Sequence, residues 1–246
     1  KRQAEHREVA REAVRKSLVL LKNDGCLPLS REQRILVAGK NADNLGHQCG
    51  GFTVAWQGSS GNDFVEGGTS IWQGIQQVSP GATLSVDGSA ADPEQHDVAV
   101  VVIGERPYAE GMGDIRTGDD VIVRAGSQIK GKLKVLEPYG STSVLEELHP
   151  EDAATIESIA AKGIPVVTVM VSGRPLVINR ELESSRAFVA AWLPGSEGQG
   201  VADVLFGDHP FSGKLSFSWP RVGEAAINVG DPDYDPLFPF GHGLGC

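Results

Sequence analysis

The sequence predicts an α/β domain in which a mostly parallel β-sheet is covered by helices on both faces. Segments typical of strands alternate along the chain with segments typical of helices. The strand segments are also continuous apolar runs, as expected for strands that are buried on both faces. The 246 residues are enough to bury the core of one large α/β domain, so a single domain spanning 1–246 is predicted.

Four apolar runs supply the predicted sheet, and a further segment is predicted at its edge. The strongest run, DVAVVVIGE, is an almost uninterrupted series of β-branched residues, and the short run ATLSVDG adds another strand. Lys214–Trp219 alternates between apolar and polar residues and is followed by a proline, which favours an edge position. The four runs are Arg34–Gly39, Asp97–Glu105, Pro165–Gly173 and Ala187–Leu193.

Four other segments are predicted to be helices. In the first segment, Ala10, Val14, Leu18 and Leu21 recur at helical spacing, and Asn23-Asp24-Gly25 is a stop signal. The second, GGTSIWQGIQQV, is predicted to begin near Thr69 or Ser70. The third, HPEDAATIESIAAKG, has a proline near its start and a glycine at its end, and the fourth is SEGQGVADVLFG.

Asp119–Leu148 does not follow this alternation. It has weak periodicity and several glycine turns, so we expect an insertion at about 119–148, in the form of a hairpin on the loop after the third strand.

Composition and charge argue against several classes of function. The net charge of −10 and the pI near 5.1 argue against nucleic-acid binding, which usually needs a basic patch. No apolar run reaches the roughly 18 residues of a membrane span, and the charged first segment is not a signal peptide. The three cysteines, Cys26, Cys49 and Cys246, have no metal-type spacing and leave the redox compartment open. No metal or other cofactor is predicted.

The loops that follow Gly39, Glu105, Gly173 and Gly195 are expected to build the ligand site, because ligands bind at the carboxyl ends of the strands in such sheets. The first of these loops is unusually long and carries Phe52 and Trp56, which are four residues apart. Residue types alone leave two interpretations open, a small local core or a platform on which a sugar ring stacks.

Several common catalytic patterns are missing. The glycines match neither a phosphate-binding G-x-x-x-x-G-K-[ST] loop nor a G-x-G-x-x-G turn. Ser196 lacks the G-x-S-x-G spacing of a nucleophilic serine, and no histidine pair has the zinc spacing i, i+4.

Two carboxylates remain as candidates for chemistry, Glu105 and Glu110. Glu105 closes a strand beside Arg106, which favours a local ion pair. Glu110 lies deeper in the loop, between Tyr108-Ala109 and a Gly-Met-Gly turn. A carboxyl group becomes a general acid when burial or a second carboxylate raises its pKa. The residues alone leave open whether Glu110 has this role or is a solvated loop acid.

Five stretches read together resemble the second domain of glycoside hydrolase family 3, whose members are exo-acting β-glucosidases and β-glucan exohydrolases. The similarity covers nearly the whole chain, and the CGG-aromatic and Trp-Gln-Gly elements are most similar to the glucan glucohydrolases of plants and bacteria. The stretches are NADNLGHQCGGFTVAWQG, GERPYAEGMGD, VSGRPLVI, AWLPGSEGQGVADVLFGDHPFSGKLSFSWP and PLFPFGHGLG.

The resemblance implies a six-stranded, mostly parallel sheet sandwiched between helices, with one antiparallel edge strand. It also implies a (β/α)8 barrel that precedes this domain, is absent from this chain and supplies the nucleophilic aspartate. The acid/base residue of the family matches Glu110, the aromatic of the neighbouring sugar site matches Trp56, and Phe52 stands where close relatives often have tryptophan. The implied substrate is a β-linked gluco-oligosaccharide, and the implied location is secreted, periplasmic or at the cell surface.

The resemblance therefore predicts a domain of a retaining β-1,3- and β-1,4-glucan glucohydrolase or β-glucosidase that is inactive without its barrel. Two alternatives remain open. One is a non-catalytic carbohydrate-binding or structural module, which would need the aromatics but no acid at Glu110. The other is a β-xylosidase or β-N-acetylglucosaminidase of the same family, because the barrel reads most of the sugar at the scissile bond.

Overall fold

The computed structural model describes residues 2–53, 55–109, 126–129, 132–135, 142–223 and 227–246. Within these ranges the strands are β1 (Val19–Asn23), β2 (Ile35–Ala38), β3 (Thr83–Leu84), β4 (Val98–Gly104), β5 (Gly126–Ile129), β6 (Lys132–Val135), β7 (Val166–Val171) and β8 (Ala187–Trp192). The helices are α1 (Arg2–Ser17), α2 (Leu45–Cys49), α3 (Ile71–Val78), α4 (Leu145–Leu148), α5 (Pro150–Ala160), α6 (Asn179–Glu183) and α7 (Gly198–Leu205).

Six of the strands form one sheet in the order β1-β8-β7-β4-β2-β3. Strand β1 is antiparallel to β8, and the other neighbours are parallel. The sheet therefore has the predicted six strands, is mostly parallel and has one antiparallel edge. The four predicted runs all become strands of this sheet, which confirms the fold class.

Both faces of the sheet carry apolar cores because its central strands are buried throughout. The alternate residues Val98, Val100 and Val102 of β4 belong to the core that also contains residues of α3 and α7. Ala99, Val101 and Ile103 belong to the core on the other face, which includes residues of α5. Continuous apolar sequence in β4 is thus explained by two covered faces.

The start of α3 is defined by a capping box. The Ser70 hydroxyl accepts a hydrogen bond from the backbone N–H of Gln73, and the Gln73 side chain accepts one from the backbone N–H of Ser70. This reciprocal pair satisfies two helix-end donors. The predicted helix start near Thr69 or Ser70 is therefore confirmed.

The identity of the antiparallel edge strand corrects two sequence predictions. The predicted first helix stops at Ser17, and Leu18 and Leu21 do not continue its stripe, because Val19–Asn23 pairs with β8 instead. Lys214–Trp219 is not a strand of the sheet. Its backbone bonds to the C-terminal segment, with Trp219 N–H donating to Phe238 O and Leu215 N–H donating to His242 O.

Within the predicted insertion at about 119–148, the described residues include an antiparallel pair formed by β5 and β6, which matches the expected hairpin. The end of that range forms α4. The extent of the insertion and the domain bounds of 1–246 remain predictions.

Helix α1 is attached to the domain through a stripe of arginines. Arg7, Arg11 and Arg15 lie one helical turn apart. Arg7 binds Glu197, with Nε and Oε1 2.7 Å apart, and both Arg11 and Arg15 bind Asp203. Val14 is the buried apolar residue of this helix.

No helix in the described ranges has both the length and the apolar character needed to cross a bilayer.

Helix α6 contains a buried carboxyl group, Glu181, which is 1% exposed. Its Oε1 atom has no hydrogen-bond partner among the described residues. Burial raises the pKa of Glu181 to about 7, and the nearby acids Asp152 and Glu146 add to the shift. The folded state therefore binds a proton at this site more tightly than the unfolded chain does.

We expect Glu181→Gln to remove a pH-dependent loss of stability. A raised folded-state pKa gives stability that is full below the unfolded pKa, near 4.3, and is lost as pH rises to about 7. The variant should thus be more stable than the parent by roughly 1 to 3 kcal/mol at about pH 8 and gain little at about pH 4. Urea unfolding at both pH values measures this, and Glu183→Gln, on the exposed side of the same helix, controls for loss of a surface charge. A gain that does not vary with pH would contradict the prediction.

Candidate functional site

A cavity of about 460 Å³ opens at the carboxyl edge of the sheet. The loops after β2, β4 and β7 meet there with the residue that follows β8, at the edge where the sequence predicted a ligand site. The lining residues are His47, Gly50, Gly51, Phe52, Glu105, Arg106, Pro107, Tyr108, Ala109, Val171, Ser172, Gly173 and Leu193.

The end of β4 fits closely against β7 at this edge. Gly104 has a φ of 132°, and a Cβ atom there would lie 1.8 Å from the carbonyl oxygen of Val171. Only glycine is compatible with this contact and this backbone conformation. The N–H of the next residue, Glu105, donates to Val171 O. This close fit positions Glu105 so that it lines the cavity.

Glu105 is buried, at 3% exposure, in an ion pair with Arg174. The Arg174 Nε atom donates to Glu105 Oε1 over 2.9 Å, and the Tyr108 hydroxyl donates to Oε2 over 2.9 Å. The Arg174 guanidinium also lies over the Tyr108 ring, 5.5 Å from its centre. The expected ion pair exists, but its cation is Arg174, from the loop after β7, rather than the adjacent Arg106.

Burial raises the pKa of Glu105, while Arg174 and Tyr108 oppose the shift. Oε1 of Glu105 binds Arg174 of the loop after β7, and Oε2 binds Tyr108 of the loop after β4, so Glu105 connects these two loops. In this role Glu105 braces the cavity rather than acting as a free acid.

A second buried carboxyl group, that of Asp152, contacts the residue before Glu105. Asp152, at the start of α5, accepts a hydrogen bond from Gly104 N–H over 3.0 Å and pairs with Lys40 from the loop after β2. Burial raises the pKa of Asp152 to about 6 even though Lys40 opposes the shift. The sequence analysis did not single out Asp152, because its link to β4 depends on tertiary structure.

The aromatic residues Phe52 and Trp56 lie in one tight turn of the loop after β2. Phe52 N–H donates to Trp56 O over 2.9 Å. Phe52 is 66% exposed and Trp56 is 45% exposed, so neither ring is in the core, and Phe52 also lines the cavity. Phe52 has a φ of 57°, an uncommon conformation for a non-glycine residue that tends to occur at functional sites.

Glu110 lies outside the described residues, and the structure describes the chain up to Ala109, the residue before it. Ala109 is buried and lines the cavity. Its N–H donates over 2.7 Å to Oε1 of Gln57, a fully buried residue that directly follows Trp56. Sequence reasoning missed Gln57, because the partner of a buried amide depends on tertiary structure.

No group of three or more His, Cys, Asp or Glu side chains in the described part of the chain is arranged to hold a metal ion.

Comparison with known proteins identifies a consistent set of relatives. Residues 18–246 match the glycosyl hydrolase family 3 C-terminal domain. The chain is 30% identical to a periplasmic beta-glucosidase of Salmonella typhimurium, covering 97% of this chain and 34% of that protein. It is also 30% identical to a beta-xylosidase of Formosa agariphila, covering 98% and 34%.

Among solved structures, an exo-1,3/1,4-beta-glucanase from a Pseudoalteromonas species is 46% identical and superposes with a TM-score of 0.81. That match covers 98% of this chain and 29% of the glucanase. The chain thus spans about a third of the length of the curated relatives.

We expect Arg174→Met to destabilise the protein mainly at neutral and alkaline pH. The substitution leaves the Glu105 carboxylate buried without its cation, which typically costs about 3–5 kcal/mol. Without the cation the folded-state pKa of Glu105 rises further, so the stability that remains at low pH is lost as pH rises. Denaturant unfolding at about pH 5 and pH 8 should show the larger loss at pH 8.

The matched control combines Arg174→Met with Glu105→Gln, which removes the stranded charge. This double variant should recover stability at about pH 8 and show a smaller pH dependence than Arg174→Met alone. Equal losses at both pH values in the single variant would mean that packing of the arginine stem dominates.

Proposed function

The chain belongs to glycosyl hydrolase family 3, as a C-terminal domain of that family, and we propose that its protein is an exo-acting retaining β-glucosidase or β-glucan glucohydrolase. In this proposal Glu110 is the acid/base residue, and Trp56 and Phe52 contact the sugar on the leaving-group side. The solved structure compared above is an exo-1,3/1,4-beta-glucanase, which favours a gluco-configured β-linked substrate.

The observation that carries the assignment of Glu110 is the position of the two residues before it. Tyr108 and Ala109 line the cavity, so the chain passes along the cavity wall immediately before Glu110. The resemblance to the family also supports an acid/base role for the glutamate in the stretch Tyr-Ala-Glu-Gly. We therefore propose that Glu110 acts on a glycosidic oxygen bound at this cavity.

The proposed reaction is two-step displacement with two carboxyl groups about 5–5.5 Å apart. Glu110 protonates the leaving glycosidic oxygen while a carboxylate attacks the anomeric carbon. Glu110 then removes a proton from the water that releases the sugar. General acid–base assistance of this kind is worth roughly 10²–10⁴ in rate.

The nucleophile is proposed to come from a preceding (β/α)8 barrel rather than from this domain. Among the described residues that line the cavity, Glu105 is the sole carboxylic acid. Its two oxygens are bound by Arg174 and Tyr108, and this ion pair favours a structural role for Glu105 over that of a nucleophile. A site completed by two domains is a common arrangement for ligand clefts.

Trp56 is the best candidate for stacking against a sugar ring. All four tryptophans are described, and Trp56 is the one that is largely exposed. Trp219 is buried, Trp72 packs against the core, and Trp192 contacts Phe217 edge-on with ring centres 5.6 Å apart. Trp56 also shares a turn with Phe52, which is exposed and lines the cavity, and this supports a role for the turn in binding.

Two alternatives have observations in their favour. The similarity to a beta-xylosidase leaves β-xylosides as substrates, because this domain does not carry most of the contacts expected at the scissile bond. The exposed aromatics would also suit a non-catalytic carbohydrate-binding module, and loss of activity on changing Glu110 separates that module from an enzyme.

The periplasmic relative favours an exported protein.

We expect Glu110→Gln in the full-length protein to reduce kcat/KM for phenyl β-glucoside by about 10²–10⁴. Bond cleavage in dinitrophenyl β-glucoside should be nearly unchanged, because that leaving group needs no proton. Deglycosylation should be slow in the variant, and added azide should accelerate it by replacing the activated water. Steady-state and burst kinetics measure these steps.

Glu105→Gln is the matched control, since it changes the other carboxyl group of the same loop. If Glu105→Gln shows the leaving-group dependence and azide rescue while Glu110→Gln does not, the two roles are reversed. The isolated 246-residue chain should not hydrolyse phenyl β-glucoside, and turnover by it that depends on Glu110 would place both carboxylates in this domain.

We expect Trp56→Ala to weaken the use of gluco-oligosaccharides much more than the use of aryl glucosides. Loss of stacking worth about 1.4 kcal/mol lowers kcat/KM for oligosaccharides about tenfold. Trp56→Phe should restore part of the loss because it retains a ring face. Equal losses on both substrate types would instead indicate that Trp56 supports the fold.

A further inference from the structure

We propose that Gln57 is a positioning residue that fixes the acid/base loop through the backbone N–H of Ala109. The proposal rests on the proposed role of Glu110, and it concerns what holds that residue in place. The side-chain carbonyl of Gln57 accepts the Ala109 N–H over 2.7 Å, one peptide unit before Glu110.

Gln57 is suited to this role because it is itself rigid. Its side chain is fully buried, and it follows Trp56 in the aromatic turn. That turn is closed by two backbone hydrogen bonds, from Phe52 N–H to Trp56 O and from Gly58 N–H to Ala55 O. A buried acceptor on a closed turn holds its donor in a defined position.

The two loops are also in direct backbone contact on either side of this hydrogen bond. A Cβ atom on Gly51 would lie 2.0 Å from Tyr108 O, and a Cβ atom on Gly58 would lie 2.2 Å from the Cβ atom of Pro107. The aromatic turn therefore packs against residues 107–108 while Gln57 binds residue 109. Within this contact the Ala109 N–H has little space in which to find another acceptor.

A second anchor acts on the same segment from the sheet. Tyr108 donates to Glu105, which is paired with Arg174. Residues 108 and 109 are thus held by different partners, Tyr108 by its side chain and Ala109 by its backbone. Glu105 sets how far the loop stands from the sheet, and Gln57 sets how the peptide leading to Glu110 is oriented relative to Trp56.

Geometry of this kind matters to a general acid because proton transfer requires close approach. A displacement of about 1 Å can cost about 10²-fold in rate. The cost falls on substrates that need the proton and is small for those that do not. Loss of Gln57 should therefore resemble a weak version of loss of Glu110, which a purely structural role would not produce.

The test is Gln57→Met in the full-length protein, which keeps the length of the side chain and removes the acceptor. We expect kcat/KM for phenyl β-glucoside to fall by roughly 10- to 100-fold and kcat/KM for dinitrophenyl β-glucoside to fall by less than about threefold. Gln57→Asn, which shortens the side chain by one methylene, should show the same selectivity and serves if Gln57→Met does not fold.

Gln48→Met is the matched control. Gln48 is also a fully buried glutamine, in helix α2 of the connection that follows β2, and its Oε1 atom accepts a backbone N–H, from Ile71 over 2.8 Å. It serves the start of α3 rather than the acid/base loop, so its loss should lower the melting temperature without changing the ratio of the two rates.

The outcomes distinguish the positioning role of Gln57 from the acid/base role of Glu110. If Gln57→Met and Gln57→Asn lower both rates equally, or neither, while Glu110→Gln discriminates between the substrates, the positioning role is wrong and the acid assignment stands. If Glu110→Gln does not discriminate either, the proposed function fails first. Selectivity in Gln48→Met equal to that in Gln57→Met would also overturn the positioning role.

Discussion

The site is organised by one buried carboxylate that has to be neutralised where it lies. Glu105 directly follows the central strand β4 and is buried away from solvent, where an isolated charge would be costly. Arg174 can reach it because β7 is the parallel neighbour of β4, so both strands end at the same edge. Since Arg174 and Tyr108 bind the two oxygens of one side chain, the loops that carry them become a single wall of the cavity.

The other wall follows from the strand order. Strand β2 pairs with β4 on the side opposite β7. The loop after β2 carries both the aromatic turn and Lys40. Lys40 returns to the sheet through Asp152, whose carboxylate also accepts the N–H of Gly104. Three adjacent parallel strands thus direct three loops to one edge, and two buried acids bind these loops to each other.

The sequence was most informative where local chemistry decides the structure. Continuous β-branched runs identified β4 and β7, and Thr69 and Ser70 marked a helix start that the capping box of Ser70 and Gln73 then explains. The edge strand was mistaken because Leu18 and Leu21 fit a helical stripe as well as a strand, and only pairing with β8 decides between them. Arg174, the cation that binds Glu105, lies 69 residues away from it, and Gln57, the acceptor of the Ala109 N–H, lies 52 residues away, so no local pattern could indicate either partner.

The arginine stripe on α1 gives this helix a different kind of attachment from the rest of the domain. The sheet is held by apolar burial, which added salt does not weaken. Helix α1 buries Val14 alone among its apolar side chains and is held by ion pairs between partly exposed arginines and the buried acids Glu197 and Asp203, which salt screens in part. Ionic strength therefore acts selectively on α1. Its amide protons should exchange with solvent by local opening well before those of β4, and this difference should widen as salt is added. In one hydrogen-exchange experiment, the amides of the sheet therefore serve as the reference against which the effect of salt on the amides of α1 is measured.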